Sequence, residues 1–222
     1  MIQQQPRPLL CLAGSLIEID LPPLVAALEK EEALDVSVRS TGGPVEVWLE
    51  IGEHLFGRLY DLHIDEACFS SCANYLVPFA RTVIAEKNAL VAWHGGPNMA
   101  TDEALTGSGV SDAITYHSLA ARTLKLYDAA GIDSRVLAFT GMPPSPKKLK
   151  SVLKGGTPVQ SISGYALSPK RLTTCFGFKN LGRMWHPGDD ADVFALGRKR
   201  SDSLNLLESP LSKGEKNAFC SQ

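Results

Sequence analysis

This sequence lacks any long apolar run, and that absence argues against a membrane-spanning helix. No stretch approaches the ~18 to 20 consecutive apolar residues that a membrane-spanning helix requires. The start MIQQQPRPLL also lacks a basic region followed by a long apolar one, so no secretory signal is predicted. We expect a cytoplasmic protein if Met1 is native, and a periplasmic protein if a signal peptide has been removed.

The sequence has no excess of charge of one sign. Its formal net charge is -2, which argues against a nucleic-acid-binding protein, because such proteins normally present a basic face. Hydrophobic residues make up 44% of the 222 residues and charged residues 21%, close to average globular usage, which excludes disordered and fibrous classes. This length is typical of one globular domain with short appendages.

Cysteines are too few and too scattered to predict a disulfide framework. There are five cysteines, an odd number that cannot all pair with one another, and they lack the spacing of paired zinc ligands. We expect Cys11 and Cys175 to pack as small apolar residues. Cys68 and Cys72 are four positions apart, which places them on one face of a helix. Packing is favoured for this pair over a disulfide in an oxidising compartment.

Alternating strand and helix patterns predict an α/β fold. Strand patterns occur in LLCLAGSL, LDVSVRS, YDLHID, TVIAEK and ALVAWH. Helical periodicity occurs in PPLVAALEKEEA, PVEVWLEIGEHLFGRL, CFSSCANYLVPFA and residues 111–130. MPPSPKK and SVLKGGTPVQSIS are expected to be loop and edge structure. LSPKRLTTCFGF predicts a helix with Ser168 as its N-cap, Pro169 at its first position and Gly177 near its end.

The composition divides the chain into three predicted segments. They are an N-terminal extension (residues 1–8), one domain (residues 9–187) and a polar C-terminal tail (residues 188–222). The tail boundary is drawn where the sequence changes to GDDADV, GRKRSDS and SKGEKN, and we expect this tail to be mobile.

A pair of glycines stands between a predicted strand and the following helix. In RSTGGP, Gly42 and Gly43 lie where backbone N–H groups are unpaired and can point towards an anion. Glycine also lets the backbone approach a ligand closely, because no Cβ intervenes. An ordinary tight turn is the commoner use of such a pair.

Two serines stand at the start of a predicted helix in CFSSC. A hydroxyl at this position lies at the positive end of the helix beside free N–H groups, where a nucleophile and part of an oxyanion hole can form. The commoner role of Ser70 or Ser71 is simply to cap the helix. His94, which ends the strand pattern ALVAWH 24 residues after Ser70, can activate a serine for acyl transfer.

Together these motifs resemble those of the Clp protease/crotonase superfamily. The matching order is AGS at the first strand, V-x-S-x-GG-x-V after the second, C-x-S-x-C before a helix, and a strand ending in histidine. The closest resemblance is to the periplasmic Clp-protease-like proteins of bacteria that carry C-x-S-x-C. It covers roughly residues 9–182, and it includes Y-x-x-x-G-I from residue 127 and LSPKRL-x-x-x-FGF from residue 167.

The resemblance implies a single-domain spiral of ββα units and a set of site residues. Ser70 would be the nucleophile, His94 the general base, and the N–H groups of Gly42, Gly43 and Ser71 the oxyanion donors. Ser71 is a rival nucleophile, because a shorter alignment with the proteases themselves matches it. The expected activity is hydrolysis of a peptide or another acyl bond, with no cofactor. A catalytically inactive scaffold or binding protein is the alternative.

One departure from the family pattern favours that alternative. The position where the proteases carry the third, acidic residue of the triad is Gly164 in this sequence. Asp112 and Asp133 are acids that could approach His94 from elsewhere. Crotonase-type acyl-CoA chemistry requires carboxylates and a CoA pocket that this sequence does not offer.

The remaining histidines are expected to be structural, and no metal site is predicted. His54 and His63 are nine positions apart in different elements, and His117 falls on a polar helix face. His186 adjoins Asp189 and Asp190, but a solvated loop is the favoured interpretation.

The long helix of residues 111–130 carries Leu119, Leu124, Leu126 and Tyr127 on more than one face. A helix of this kind either lies deep in its own core or meets a partner. With the resemblance, this pattern predicts a homo-oligomer, a trimer or a small ring.

Overall fold

The fold is an α/β arrangement around a mostly parallel sheet, as predicted. The computed structural model describes residues 7–31, 34–97, 110–154, 161–215 and 220. The strands are β1 (Leu9–Ala13), β2 (Asp35–Ser40), β3 (Asp61–Phe69), β4 (Thr82–Ala85), β5 (Leu90–Ala92), β6 (Gly164–Tyr165), β7 (Arg183–Met184) and β8 (Leu206–Leu207). The main sheet has the order β1-β2-β3-β4-β7, and β5 also pairs with β3. A second, two-stranded sheet joins β6 to β8.

The helices follow the strands in the order that the sequence predicts for the first half of the chain. They are α1 (Leu21–Lys30), α2 (Val45–Leu55), α3 (Ser71–Leu76), α4 (Val110–Ala130), α5 (Arg135–Gly141), α6 (Pro146–Lys154), α7 (Pro169–Phe176) and α8 (Asp190–Arg200). Within the described ranges, no helix is both long and apolar enough to cross a membrane.

Strand β3 is longer than predicted, and the helix that follows it starts later. The prediction that a helix begins at Cys68 is wrong, because Cys68 pairs with Val91 of β5 and with Ser40 of β2. The first half of β3 pairs with β4 and the second half with β5. These backbone bonds hold the strand to its last residue, Phe69, and the change to helix takes place at Ser70.

Helix α6 replaces part of a predicted loop. The proline-rich segment was expected to be irregular, but Pro146 occupies the first helical position, where its missing N–H does no harm. The hydroxyl of Ser145 accepts a hydrogen bond from the N–H of Lys148 at 3.1 Å. The same Ser-Pro signal was recognised correctly at α7, where Ser168 accepts from the N–H of Arg171 and Gly177 ends the helix at φ 77°.

Residues 188–215, the described part of the predicted mobile tail, are folded, so the expectation of a mobile tail is wrong. Asp189 caps α8 by accepting from the N–H of Asp192 at 3.0 Å. Val193 and Leu196 of this helix are buried. Strand β8 then pairs with β6, which attaches the segment to the rest of the fold. The polar composition of this segment did not indicate these apolar contacts, because only a few of its residues make them.

Helix α3 is anchored from behind by the long helix α4. The hydroxyl of Tyr75 lies 2.9 Å from Thr123 Oγ1, and Tyr127 donates to the carbonyl of Asn74 at 2.9 Å. Leu119, Leu126 and Tyr127 of α4 are buried, whereas Leu124 is 41% exposed. The apolar pattern of α4 therefore serves mainly the protein's own core.

Candidate functional site

Ser70 occupies a sharp turn between β3 and α3. Its backbone has φ 62° and ψ -127°, a region that non-glycine residues rarely enter, at a cost of about 1 to 3 kcal/mol. The N–H of Ser70 donates to the carbonyl of Ala92, and the carbonyl of Ser70 accepts from the N–H of Asn74, both at 3.0 Å. The side chain makes no capping hydrogen bond, so its hydroxyl is free to face the site.

His94 lies beside this serine because their strands are neighbours. Strands β3 and β5 are parallel and pair Phe69 with Ala92, so the residues that follow them emerge at the same edge of the sheet. The Oγ atom of Ser70 is 2.5 Å from Nε2 of His94. The His94 ring also meets the edge of Phe69, with 5.4 Å between the ring centroids. Ser70 and His94, which are 24 positions apart in the sequence, are thus in hydrogen-bond contact.

The two glycines lie directly against this turn. A Cβ atom on Gly42, whose φ is 95°, would be 2.7 Å from the carbonyl oxygen of Phe69 and 2.9 Å from the Cβ of Ser70. Only glycine permits this approach without a shift of the backbone. The close packing explains a glycine at this position better than an ordinary turn does.

The N–H groups of the predicted oxyanion donors differ in their engagement. The N–H of Gly42 donates to the hydroxyl of Ser40 at 3.0 Å, and that hydroxyl donates to the carbonyl of Gly14 at 2.5 Å. Across the described ranges, no acceptor engages the N–H of Gly43 or of Ser71. Gly43 and Ser71 therefore retain the N–H groups suited to a negatively charged oxygen.

Ser71, the rival nucleophile, has a different role in the geometry. Its side chain is buried, and its hydroxyl donates to the carbonyl of Gly43 at 2.9 Å. This bond ties the glycine turn to the start of α3. The hydrogen bond to His94 is made by Ser70, so the geometry favours Ser70 of the two serines.

No acid can occupy the matched triad position without a rearrangement. A Cβ on Gly164 would be 2.4 Å from the carbonyl oxygen of Trp93, because β6 forms an antiparallel bridge with that residue. Asp133 is engaged elsewhere, and its hydrogen bonds from Arg135 hold its pKa below the usual range. The side chain of Asp112 lies outside the described part. Among the described side chains, no carboxylate contacts His94.

Two disulfides form where free cysteines were expected. Cys68 and Cys72 are bonded to each other across Ser70, and both are fully buried. Cys175 is bonded to Cys220. The preference for packing was wrong for Cys68, Cys72 and Cys175, and Cys11 is exposed rather than packed. The spacing of Cys68 and Cys72 had left the disulfide open, whereas nothing local could pair residues 45 positions apart.

Two cavities flank the strand ends and complete the candidate site. The larger one, of about 520 Å³, borders Ser40, Thr41 and Phe69. The smaller one, of about 300 Å³, borders His94 and Gly164. The sequence did not predict the larger cavity because part of its wall comes from the C-terminal segment, which was expected to be mobile. The smaller one is lined by residues 140–144 and 162–165, which are distant from His94 in the sequence.

Two of the other histidines, His54 and His186, take part in local contacts. His54 Nε2 lies 3.5 Å from a carboxylate oxygen of Glu50. His186 Nε2 is 2.8 Å from the carbonyl oxygen of Ala166, and its Nδ1 accepts from the N–H of Gly188. In the part of the chain that the structure describes, no group of three or more His, Cys, Asp or Glu side chains could hold a metal ion.

Comparison with known proteins adds no assignment. The chain matches no known protein-family model, and a search of curated proteins finds no significant match. Any function must therefore be inferred from Ser70, His94 and the residues around them.

Proposed function

We propose that this protein is a serine hydrolase of the Clp-protease-like type, acting on a peptide or another acyl bond. The observation that carries the proposal is the 2.5 Å contact between Ser70 Oγ and His94 Nε2. The strained backbone of Ser70 supports it further, since backbone strain is concentrated at functional sites. The ordinary use of a serine at a helix start would be a cap with normal backbone angles.

The proposed reaction has two steps. Ser70 Oγ attacks the carbonyl carbon while its proton passes to His94 Nε2, and the carbonyl oxygen becomes an oxyanion held by backbone N–H groups. The bond to the leaving group then breaks, and His94 returns the proton to that group. Water hydrolyses the resulting acyl-enzyme ester by the same sequence, which releases the acid and restores Ser70.

The missing acid supports a second candidate, a catalytically inactive scaffold or binding protein of the same fold. In serine proteases the aspartate orients the imidazole and stabilises its charged form, and a change that disables it lowers the rate by about 10⁴-fold. Gly164 leaves no room for such a side chain. A serine-histidine pair alone predicts a slow enzyme rather than none.

A fluorophosphonate probe tests the two candidates directly. The proposed hydrolase should be labelled at Ser70, and Ser70→Ala should abolish the labelling while Ser71→Ala retains it. Labelling that persists in Ser70→Ala and disappears in Ser71→Ala would transfer the nucleophile to Ser71. An intact protein that does not react would favour the scaffold.

The finer fold family and the assembly belong to the same proposal. We infer a Clp protease/crotonase-like spiral of ββα units that forms a homo-oligomer, supported by the motif order that ends at His94. Light scattering at micromolar concentration tests the assembly, and a monomer mass that does not change with concentration would contradict it.

The two disulfides support an oxidising compartment, since disulfides are rare in reducing cytosol. We therefore prefer the periplasmic alternative to the cytoplasmic one. Titration of free thiols in protein taken directly from its native compartment tests this choice. A single thiol, from Cys11, is the expected result, and five would contradict it.

A further inference from the structure

The larger cavity is built by two distant parts of the chain. On one side lie Ser40, Thr41 and Phe69, which immediately precede the glycine turn and the proposed nucleophile. On the other side lie Arg200 and Leu204, at and after the end of α8. The folded C-terminal segment thus forms a wall of a cavity that reaches Phe69, the residue before Ser70.

The position of His94 indicates which part of a substrate each cavity would receive. His94 lines the smaller cavity and not the larger one, while Ser163 lines both. A histidine base must later give its proton to the leaving group, so the leaving group lies on the histidine side. The larger cavity, which Phe69 lines and His94 does not, is therefore assigned to the acyl part of the substrate.

The lining of this cavity combines an apolar floor with a positively charged rim. Phe69, Leu90 and Leu204 supply apolar surface. At the rim, the single carboxylate of Glu66 is shared by Arg39 at 3.4 Å and by Arg200 at 3.2 Å. Two guanidinium groups and one carboxylate leave a net charge of +1 there.

The rim is better suited to an anion than to a cation. Each oxygen of Glu66 already accepts from one guanidinium, Oε1 from Arg39 and Oε2 from Arg200. Arg200 is also held by the carbonyl of Asn88 at 2.9 Å, and its side chain is 30% exposed. A cationic ligand would meet two like charges, whereas a carboxylate would meet donors already in place.

We propose that the larger cavity binds an acyl-side chain that is apolar along its length and ends in a carboxylate, as the side chain of glutamate does. Arg200 is the residue that selects the carboxylate. This inference rests on the proposed hydrolase function, because it assigns the acyl side relative to Ser70.

Matched substrates test the selectivity. N-acetyl-glutamyl and N-acetyl-glutaminyl 4-nitrophenyl esters differ only in the charge at the end of the side chain. We expect kcat/KM to favour the glutamyl ester by about threefold to tenfold, the range for a charged hydrogen bond at a partly exposed site. Arg200→Gln should remove this preference, because it lowers kcat/KM for the glutamyl ester more than for the glutaminyl ester, while Glu66→Gln should enlarge it.

Lys199→Gln is the matched control variant. Lys199 is exposed on the same helix and does not line this cavity, so the change removes one positive charge without altering the rim. It should retain the preference. Equal rates on the two esters, or a loss of preference in Lys199→Gln as large as in Arg200→Gln, would overturn the assignment.

A binding measurement separates failure of the pocket from failure of the hydrolase. In Ser70→Ala, N-acetyl-glutamate amide should bind more tightly than N-acetyl-glutamine amide by calorimetry, and the added substitution Arg200→Gln should abolish the difference. If this difference is found although no ester is cleaved, the pocket assignment is supported and the hydrolase proposal is contradicted. If esters are cleaved but the two ligands bind equally, or neither binds, only the pocket assignment is contradicted.

Discussion

Helices α3 and α7 both begin immediately after a serine, yet the two serines have opposite roles. Ser168 has φ -65° and ψ 148°, the ordinary extended geometry of an N-cap, and its hydroxyl accepts from the N–H of Arg171. Ser70 has φ 62° and ψ -127°, makes no capping bond and reaches His94 instead. The backbone angle before the helix, and not the residue type, decides whether the hydroxyl serves the helix or faces the site.

Each of these helices also carries one cysteine of a disulfide. Cys72 of α3 is bonded to a residue four positions away, and the bridge spans Ser70. Cys175 of α7 is bonded to a residue 45 positions away. The first bridge closes a very small loop around a strained turn, and the second joins Cys220 to a helix with ordinary geometry.

Removing each hydroxyl in turn should separate the two serines most strongly. Ser70→Ala should lower kcat/KM for an activated ester by about 10³-fold or more, because the nucleophile is lost. Ser168→Ala should leave kcat/KM unchanged and lower the free energy of unfolding by about 1 kcal/mol, the usual effect of losing a cap. Ester hydrolysis and urea unfolding of both variants measure this, and equal losses of activity would contradict the assignment.

Substitution of His94 should strongly affect the reactivity of Ser70. His94→Ala should lower both ester hydrolysis and fluorophosphonate labelling by about 10³-fold, since the serine loses its base. His54→Ala, at a histidine remote in the sequence and paired with Glu50, is the control and should retain activity. Unchanged labelling in His94→Ala would remove this residue from the mechanism.

The two disulfides should rank in opposite orders for activity and for stability. The double variant Cys68→Ala, Cys72→Ala should lower kcat about tenfold or more with little change in KM, since the turn that orients Ser70 is loosened. Its unfolding free energy should fall by about 2 kcal/mol on the chain-entropy model, against about 4 kcal/mol for Cys175→Ala, Cys220→Ala, whose loop is longer. The second variant should keep its kcat at a temperature where it remains folded. The same ranking for both properties would mean that Cys68 and Cys72 act only on stability.

The smallest expected effect concerns the ion pair at the start of α7. Burial would raise the pKa of Glu208, but the hydrogen bonds and charge of Arg171, the charge of Lys148 and a backbone hydrogen bond from Ser168 together hold that pKa below its usual range. A lowered pKa contributes stability above the ordinary carboxyl range, and this stability is lost as the pH falls through the folded value. Glu208→Gln should therefore lower the unfolding free energy by about 1 kcal/mol near neutral pH, with a difference that shrinks in acid. Urea unfolding across this range measures it, and a difference that grows in acid would contradict the sign.

Local patterns were sufficient wherever neighbouring residues decide the structure. The strands and helices up to residue 55, the N-cap at Ser168 and the end of α7 at Gly177 follow from apolar periodicity and capping chemistry. They failed where distant partners decide. Strand pairing with β5 extended β3 to Phe69, and a few buried side chains in α8 fixed a segment whose composition is polar.

Local sequence patterns were enough to predict the residue types of the candidate site: two glycines after one strand, a serine after the next, and a histidine after another. The choice of Ser70 rather than Ser71 as the partner of His94 depends on tertiary contacts, because the parallel pairing of β3 with β5 sets which hydroxyl lies at that edge. The exclusion of an acid at Gly164 and the presence of Arg200 in the cavity wall also depend on tertiary contacts. Those outcomes depend on contacts between residues far apart in the chain, which no local pattern specifies.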